Sequence, residues 1–231
     1  MAIKIENTGQ LGMTSGAKCM VYGPAGVGKT RLLASAPYPI IISAERGLLS
    51  LRRFNIPVIQ IKSLADLREA HTYVTGPNGR NIATVGLDSS SEIAEVCLTE
   101  QKKLTRDGRK AYGDAQDAMI DIFRSFRDIH GKNVVFLAKQ EFTTDGATGA
   151  KYNAPSFPGN KLAQAAPYFF DEVFQLNNFT TPEGQKIWAL RTAPDQYNVA
   201  KDRSGSLAEW ENADPATGGG LAYLFQKMLN G

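Results

Sequence analysis

Gly23-Pro24-Ala25-Gly26-Val27-Gly28-Lys29-Thr30 is the stretch whose residue types and spacing most directly specify chemistry. Glycines at 23, 26 and 28 let the backbone turn with its N–H groups facing inward, where a Cβ would obstruct them. Such a loop cradles the phosphates of a nucleotide. Lys29 would reach the β- and γ-phosphates of ATP, and the Thr30 hydroxyl would bind Mg2+. The apolar run at residues 19–22 reads as a strand, and residues 29–36 read as a helix stopped by Pro37. Strand, Gly-rich loop and helix start form the context this pattern needs, since the helix dipole also favours an anion.

Two carboxylates stand where such a loop would need them. Asp88 ends an apolar strand at residues 82–88 and can hold Mg2+ and its waters, or cap a helix starting in Ser89-Ser90-Ser91. Glu45 lies just past the apolar run at 38–43, and no glutamate directly follows Asp88. That makes Glu45 the candidate base for a hydrolytic water; the alternative is an acid favoured in the first turn of a helix.

Gln140, at the end of a strand over 133–138, can hydrogen-bond the γ-phosphate or its attacking water, or be a polar residue leaving a sheet. Lys201 and Arg203 share a Gly-containing turn and could reach a γ-phosphate in the same or a neighbouring subunit. Seen alone, the pair also fits a solvated cluster.

Lys102, Lys103, Arg106, Arg109 and Lys110 are interrupted by one acid, Asp107, and followed by Tyr112. Positive charge beside aromatic rings is the physical recipe for binding single-stranded DNA. Residues 142–161 supply a second such set in Lys151, Tyr152 and Phe157. The alternatives are a solvated helix end for the first set and a lid over nucleotide for the second.

The elements that must position these residues follow from the pattern. Strands are expected at 38–43, 57–61, 82–88 and 133–138. Helices are expected at 63–74, with Ser63 as N-cap, and at 92–105, 114–130 and 221–229. A strand pair at 171–176 and 186–192 flanks the turn at 181–184, and residues 143–161 read as a functional loop. The fold class is α/β: a mostly parallel sheet flanked by helices on both faces, with an antiparallel edge. Residues 1–16 read as an N-terminal arm and 17–231 as one ATPase domain.

With 231 residues, 42% of them hydrophobic, the chain can bury a sizeable core, while a net charge of +3 does not by itself announce a nucleic-acid partner. Cys19 and Cys97 sit far apart in apolar surroundings and indicate neither a disulfide framework nor a zinc site, which fits a reducing cytoplasm. No apolar run approaches the roughly 18 residues of a membrane span, so no membrane role is expected.

The loop GPAGVGKT, the strand into Ser43-Ala44-Glu45, the strand ending Gly86-Leu87-Asp88-Ser89 and the run Val135-Phe136-Leu137-Ala138-Lys139-Gln140 together resemble the RecA-like P-loop ATPase core. The resemblance covers about residues 17–210. It implies Glu45 as the base, Asp88 as the support for Mg2+ and Gln140 as the coupler of nucleotide to DNA-binding loops. Lys201-Asp202-Arg203-Ser204-Gly205 is similar to the lysine and arginine signature that RadA-type relatives place across a subunit boundary. The short length and Pro155-Ser156-Phe157-Pro158-Gly159 look most like bacteriophage single-strand annealing proteins of recombination. The partners so implied are single-stranded DNA, further copies of the chain and a single-strand DNA-binding protein, in the host cytoplasm. Two rival readings stay open: a nucleotide-gated DNA-binding module with negligible hydrolysis, and a P-loop small-molecule kinase.

Overall fold

The computed structural model describes residues 7, 15–45, 47–144, 146 and 148–230. Most of the expected N-terminal arm, residues 1–6 and 8–14, lies outside them.

The chain enters at β1 (Lys18–Gly23), passes through the Gly-rich loop into α1 (Lys29–Leu33), and continues through β2 (Pro39–Ser43), β3 (Val58–Gln60) and α2 (Leu64–Thr75). β4 (Thr84–Asp88) leads to α3 (Ser90–Leu104) and α4 (Gly108–Arg127), and then come β5 (Asn133–Thr144), β6 (Lys151–Pro155) and α5 (Asn160–Ala165). β7 (Glu172–Thr180), β8 (Lys186–Arg191), β9 (Trp210–Asn212) and α6 (Leu221–Asn230) complete it.

The strands run in the order β3-β2-β4-β5-β1-β7-β8-β9, with β6 paired to β5. The first six are mutually parallel, and β6, β8 and β9 join by antiparallel pairing. This is the helix-flanked, mostly parallel sheet with an antiparallel edge that the sequence predicts. Alternation along the central strands builds two cores. On β1, Met20 and Tyr22 face the layer of α2, α3, α4 and α5, while Cys19 and Val21 face α1 and α6. The two free cysteines are therefore buried on opposite faces of the sheet, and burial pushes the Cys97 thiol up to about 12.

Several boundaries differ from the expectation for local reasons. Helix α1 ends at Leu33, and residues 34–36 close in tighter turns, with Ala36 N donating to the Leu33 carbonyl at 3.1 Å. Ser63 does cap α2, in a box where Asp66 N donates to its hydroxyl at 3.1 Å and the Asp66 carboxylate accepts from Ser63 N. Helix α4 starts six residues early because Asp107 caps it, its carboxylate accepting from the amides of Arg109 and Lys110. The expected loop at 143–161 is in part a hairpin: β5 runs on to Thr144 and pairs with β6. Phe157 belongs to the core, 5.5 Å from Phe123, and is withdrawn from any contact with a base.

In parallel sheets ligands sit beyond the C-terminal strand ends, where the chain order reverses. Here that place is the end of β1, whose chain crosses over β5 and β4 to reach β2 while β7 flanks it on the other side.

Candidate functional site

Strand β1 ends at Gly23, where a Cβ would stand 2.7 Å from the Leu176 carbonyl oxygen of β7, so only glycine allows this approach. The loop turns into α1 through Gly28 at φ 108, a left-handed conformation that a Cβ would strain. Lys29 Nζ donates to the carbonyl oxygens of Gly23 at 2.7 Å and Pro24 at 2.9 Å, which folds the side chain over the loop. Burial holds the Lys29 ammonium below its usual range, and the charges of Asp88 and Glu45 oppose that shift.

Under the loop, the Thr30 hydroxyl donates to Asp88 Oδ2 at 2.6 Å. Burial raises the Asp88 carboxyl, against the stabilising Thr30 bond. A hydroxyl and a carboxylate at the foot of a phosphate loop are hard oxygen donors, and they fit Mg2+. Glu45 follows β2, where Ser43 Oγ accepts from Glu45 N at 3.1 Å and donates to its carbonyl at 2.7 Å. The Glu45 carboxylate is positioned from the neighbouring strand end by Ser89, whose hydroxyl donates to Oε1 at 2.6 Å.

Lys29, Thr30, Glu45, Asp88 and Gln140 line one cavity of about 640 Å3. Ala25, Gly26, Val27 and Gly28 line it as well, while Gly23 and Pro24 contribute the carbonyls that hold Lys29. Gln140 is tied outward: its Nε2 donates to Asn153 Oδ1 of β6 at 2.8 Å, and its Oε1 accepts from Gln175 Nε2 at 3.1 Å. The chain of amides continues from Asn153 Nδ2 to Asn198 Oδ1 at 2.8 Å.

Lys201 and Arg203 are not brought to this cavity. Lys201 pairs by backbone with Val173, its ammonium donates to the Pro167 carbonyl at 2.9 Å, and Arg203 pairs with Asp171 at 3.1 Å. Asp171 in turn bonds the backbone at Lys18, the start of β1, which lies roughly 16 Å of strand from the phosphate loop.

That turn is anchored by a buried acid, Glu172, that no sequence signal singles out. Glu172 Oε1 accepts from the amides of Arg203 at 3.3 Å and Ser204 at 3.1 Å, and among the described residues its other oxygen finds no donor. Burial, followed by the charge of Asp202, pushes this carboxyl up to about 8, so Glu172 holds a proton that it can donate to the Asp202 carboxylate. A folded-state pKa above the unfolded value means stability that is present at low pH and lost as pH rises toward 8. Glu172→Gln keeps the acceptor and supplies a fixed donor. Its thermal midpoint is expected to change less between pH 5.5 and 7.5 than that of the natural chain; an undiminished slope contradicts the assignment.

The basic residues 102–110 are not a free loop. Lys102 and Lys103 lie on the last turn of α3, Arg106 in the link, and Arg109 and Lys110 on the first turn of α4. The Glu100 carboxylate accepts from Leu64 N just past the C-terminal end of β3, which puts this corner at the edge of the sheet where the parallel strands end, on the face opposite α1. Lys102 lies over the Tyr112 ring at 5.2 Å, Tyr112 stands beside Gly159, and Lys110 pairs with Asp114 at 2.8 Å. Lys151 and Tyr152 lie on β6, opposite Thr144 and Thr143 of β5.

Beside this geometry stands a family match: the model for the AAA domain covers residues 15–204. The chain belongs to the AAA domain family. It is a P-loop ATPase domain built on a helix-flanked, mostly parallel sheet with an antiparallel edge, and it binds nucleotide. Among solved structures, the crystal structure of the RadB recombinase aligns with this AAA domain at 15% identity, over 80% of this chain and 84% of that one, with a TM-score of 0.42. No curated protein sequence matches it. Among the described residues of the AAA domain, no helix is long and apolar enough to cross a membrane.

Proposed function

We propose that this AAA domain hydrolyses ATP in the presence of Mg2+ and couples that cycle to single-stranded DNA, working as a homo-oligomer in annealing or recombination. The observation that carries the reading is the position of Gln140. It lines the ATP cavity and donates to Asn153 of the β5–β6 hairpin, so one side chain touches both regions.

In this reading Lys29 neutralises the β- and γ-phosphates while loop amides from Ala25 to Gly28 hold them. Thr30 and Asp88 hold Mg2+, which offsets the phosphate charge when bound. Glu45, oriented by Ser89, takes the proton of the attacking water as its oxygen bonds the γ-phosphorus and the bond to ADP breaks. Departure of the γ-phosphate then frees Gln140 to reset the hairpin.

Lys201 and Arg203 stand far from the cavity of their own chain, which supports a role across a subunit boundary. DNA would track Lys102, Lys103, Arg106, Arg109 and Lys110, with Lys151 and Tyr152 on the hairpin as the second point of attachment. Replacing Lys102, Lys103 and Arg106 together with Ala should weaken DNA binding and flatten the slope of log affinity against log salt by roughly 2, since each phosphate left without its cation removes about 0.7 from that slope. ATP affinity should stay as it was. An unchanged salt slope rejects this corner as the DNA site.

A further inference from the structure

We propose that Trp188 and Arg31 form the nucleobase subsite of the cavity, the surface on which the planar ring of the bound nucleotide stacks. The inference rests on the nucleotide reading of the same cavity and adds to it where the base lies and what recognises it.

The cavity is lined by two chemically different sets of groups. Lys29, Thr30, Glu45 and Asp88 present charge and hydroxyl groups; Leu176, Trp188, Ala213 and Pro215, on or just past β7, β8 and β9, present apolar surface. That asymmetry matches a ligand with a polyanionic tail and a flat heteroaromatic head, and about 640 Å3 is ample for both.

Trp188 is fixed against the phosphate loop. Its indole Nε1–H donates to the Val27 carbonyl at 3.0 Å, and its own carbonyl accepts from Ala213 N at 3.0 Å. The loop that holds the phosphates therefore also sets the distance to the ring. The Arg31 guanidinium lies 5.9 Å from the centroid of that indole, on the first turn of α1 and exposed. Guanidinium and indole are the two protein groups best suited to stack on a planar base. Asp214, between Ala213 and Pro215, lines the cavity as well; its Oδ1 caps the turn at Pro215–Thr217 by accepting from Ala216 N at 3.0 Å, and its second oxygen can take a donor from the base or sugar.

The test compares ligands that differ only by the nucleoside. Calorimetric binding of ADP and of pyrophosphate, each with Mg2+, is measured for the full chain and for Trp188→Ala, Trp188→Phe and Arg31→Gln. Trp188→Ala should weaken ADP by about tenfold or more, the range that removal of one base stack gives, and leave pyrophosphate unchanged. Trp188→Phe keeps a ring while dropping the Val27 bond, and should hold ADP close to the natural affinity. Arg31→Gln should weaken ADP alone. Equal weakening of both ligands in Trp188→Ala would make Trp188 a brace of the loop, and no weakening of either would put the base elsewhere; both results overturn the proposal. Lys29→Ala serves as the separate check, since unchanged pyrophosphate binding in that variant would refute the phosphate site itself.

Discussion

Replacing Glu45 with Gln is expected to lower ATP turnover by about a hundred- to ten-thousand-fold, the usual weight of a positioned general base, and to leave ATP bound. The substitution keeps an oxygen for the Ser89 hydroxyl, which now bonds Oε1 at 2.6 Å, and removes only the capacity to accept a proton. Placement at the end of β2, across from the Asp88 strand end, is what gives this residue access to the cavity. Steady-state phosphate release, with nucleotide binding measured in parallel, checks both halves. Full turnover by the variant would reduce Glu45 to an acid that terminates a strand.

The second large effect belongs to Asp88→Asn. The carboxylate is buried at the foot of the loop and accepts from Thr30 at 2.6 Å, so the amide retains a hydrogen-bond acceptor and loses the charge. The Mg2+ concentration that half-saturates turnover should rise by about 10- to 100-fold, as it does when a group supporting a metal is altered. An unchanged Mg2+ dependence would leave Asp88 as no more than a partner for Thr30.

The parts of this site legible in the sequence are those whose signal is local. GPAGVGKT is a contiguous motif, and Glu45, Asp88 and Gln140 end or follow apolar runs that read as buried strands, so their shared cavity follows from the rule that ligands sit beyond the C-terminal ends of parallel strands. Trp188 carries no such mark. It sits in a strand that reads as an ordinary edge, and its bond to Val27 spans 161 residues. Glu172 is equally silent, because a lone acid at a strand start looks solvated until the neighbouring turn buries it. Phe157 misleads in the other direction: a ring in a Gly- and Pro-rich stretch suggests an exposed stacking platform, whereas packing on Phe123 withdraws it. The early start of α4 is readable in principle, since Asp107 is a good N-cap, but the basic run around it resembles a loop.

The measurement that most directly tests the coupling of ATP to DNA is the rate of ATP hydrolysis with and without single-stranded DNA, with Lys29→Ala as the blank. The account predicts a rate raised by DNA in the natural chain, no such rise when Lys102, Lys103 and Arg106 are replaced together, and no activity in the blank. Hydrolysis at the same rate with and without DNA would contradict it and sever the nucleotide cavity from the basic corner and the hairpin.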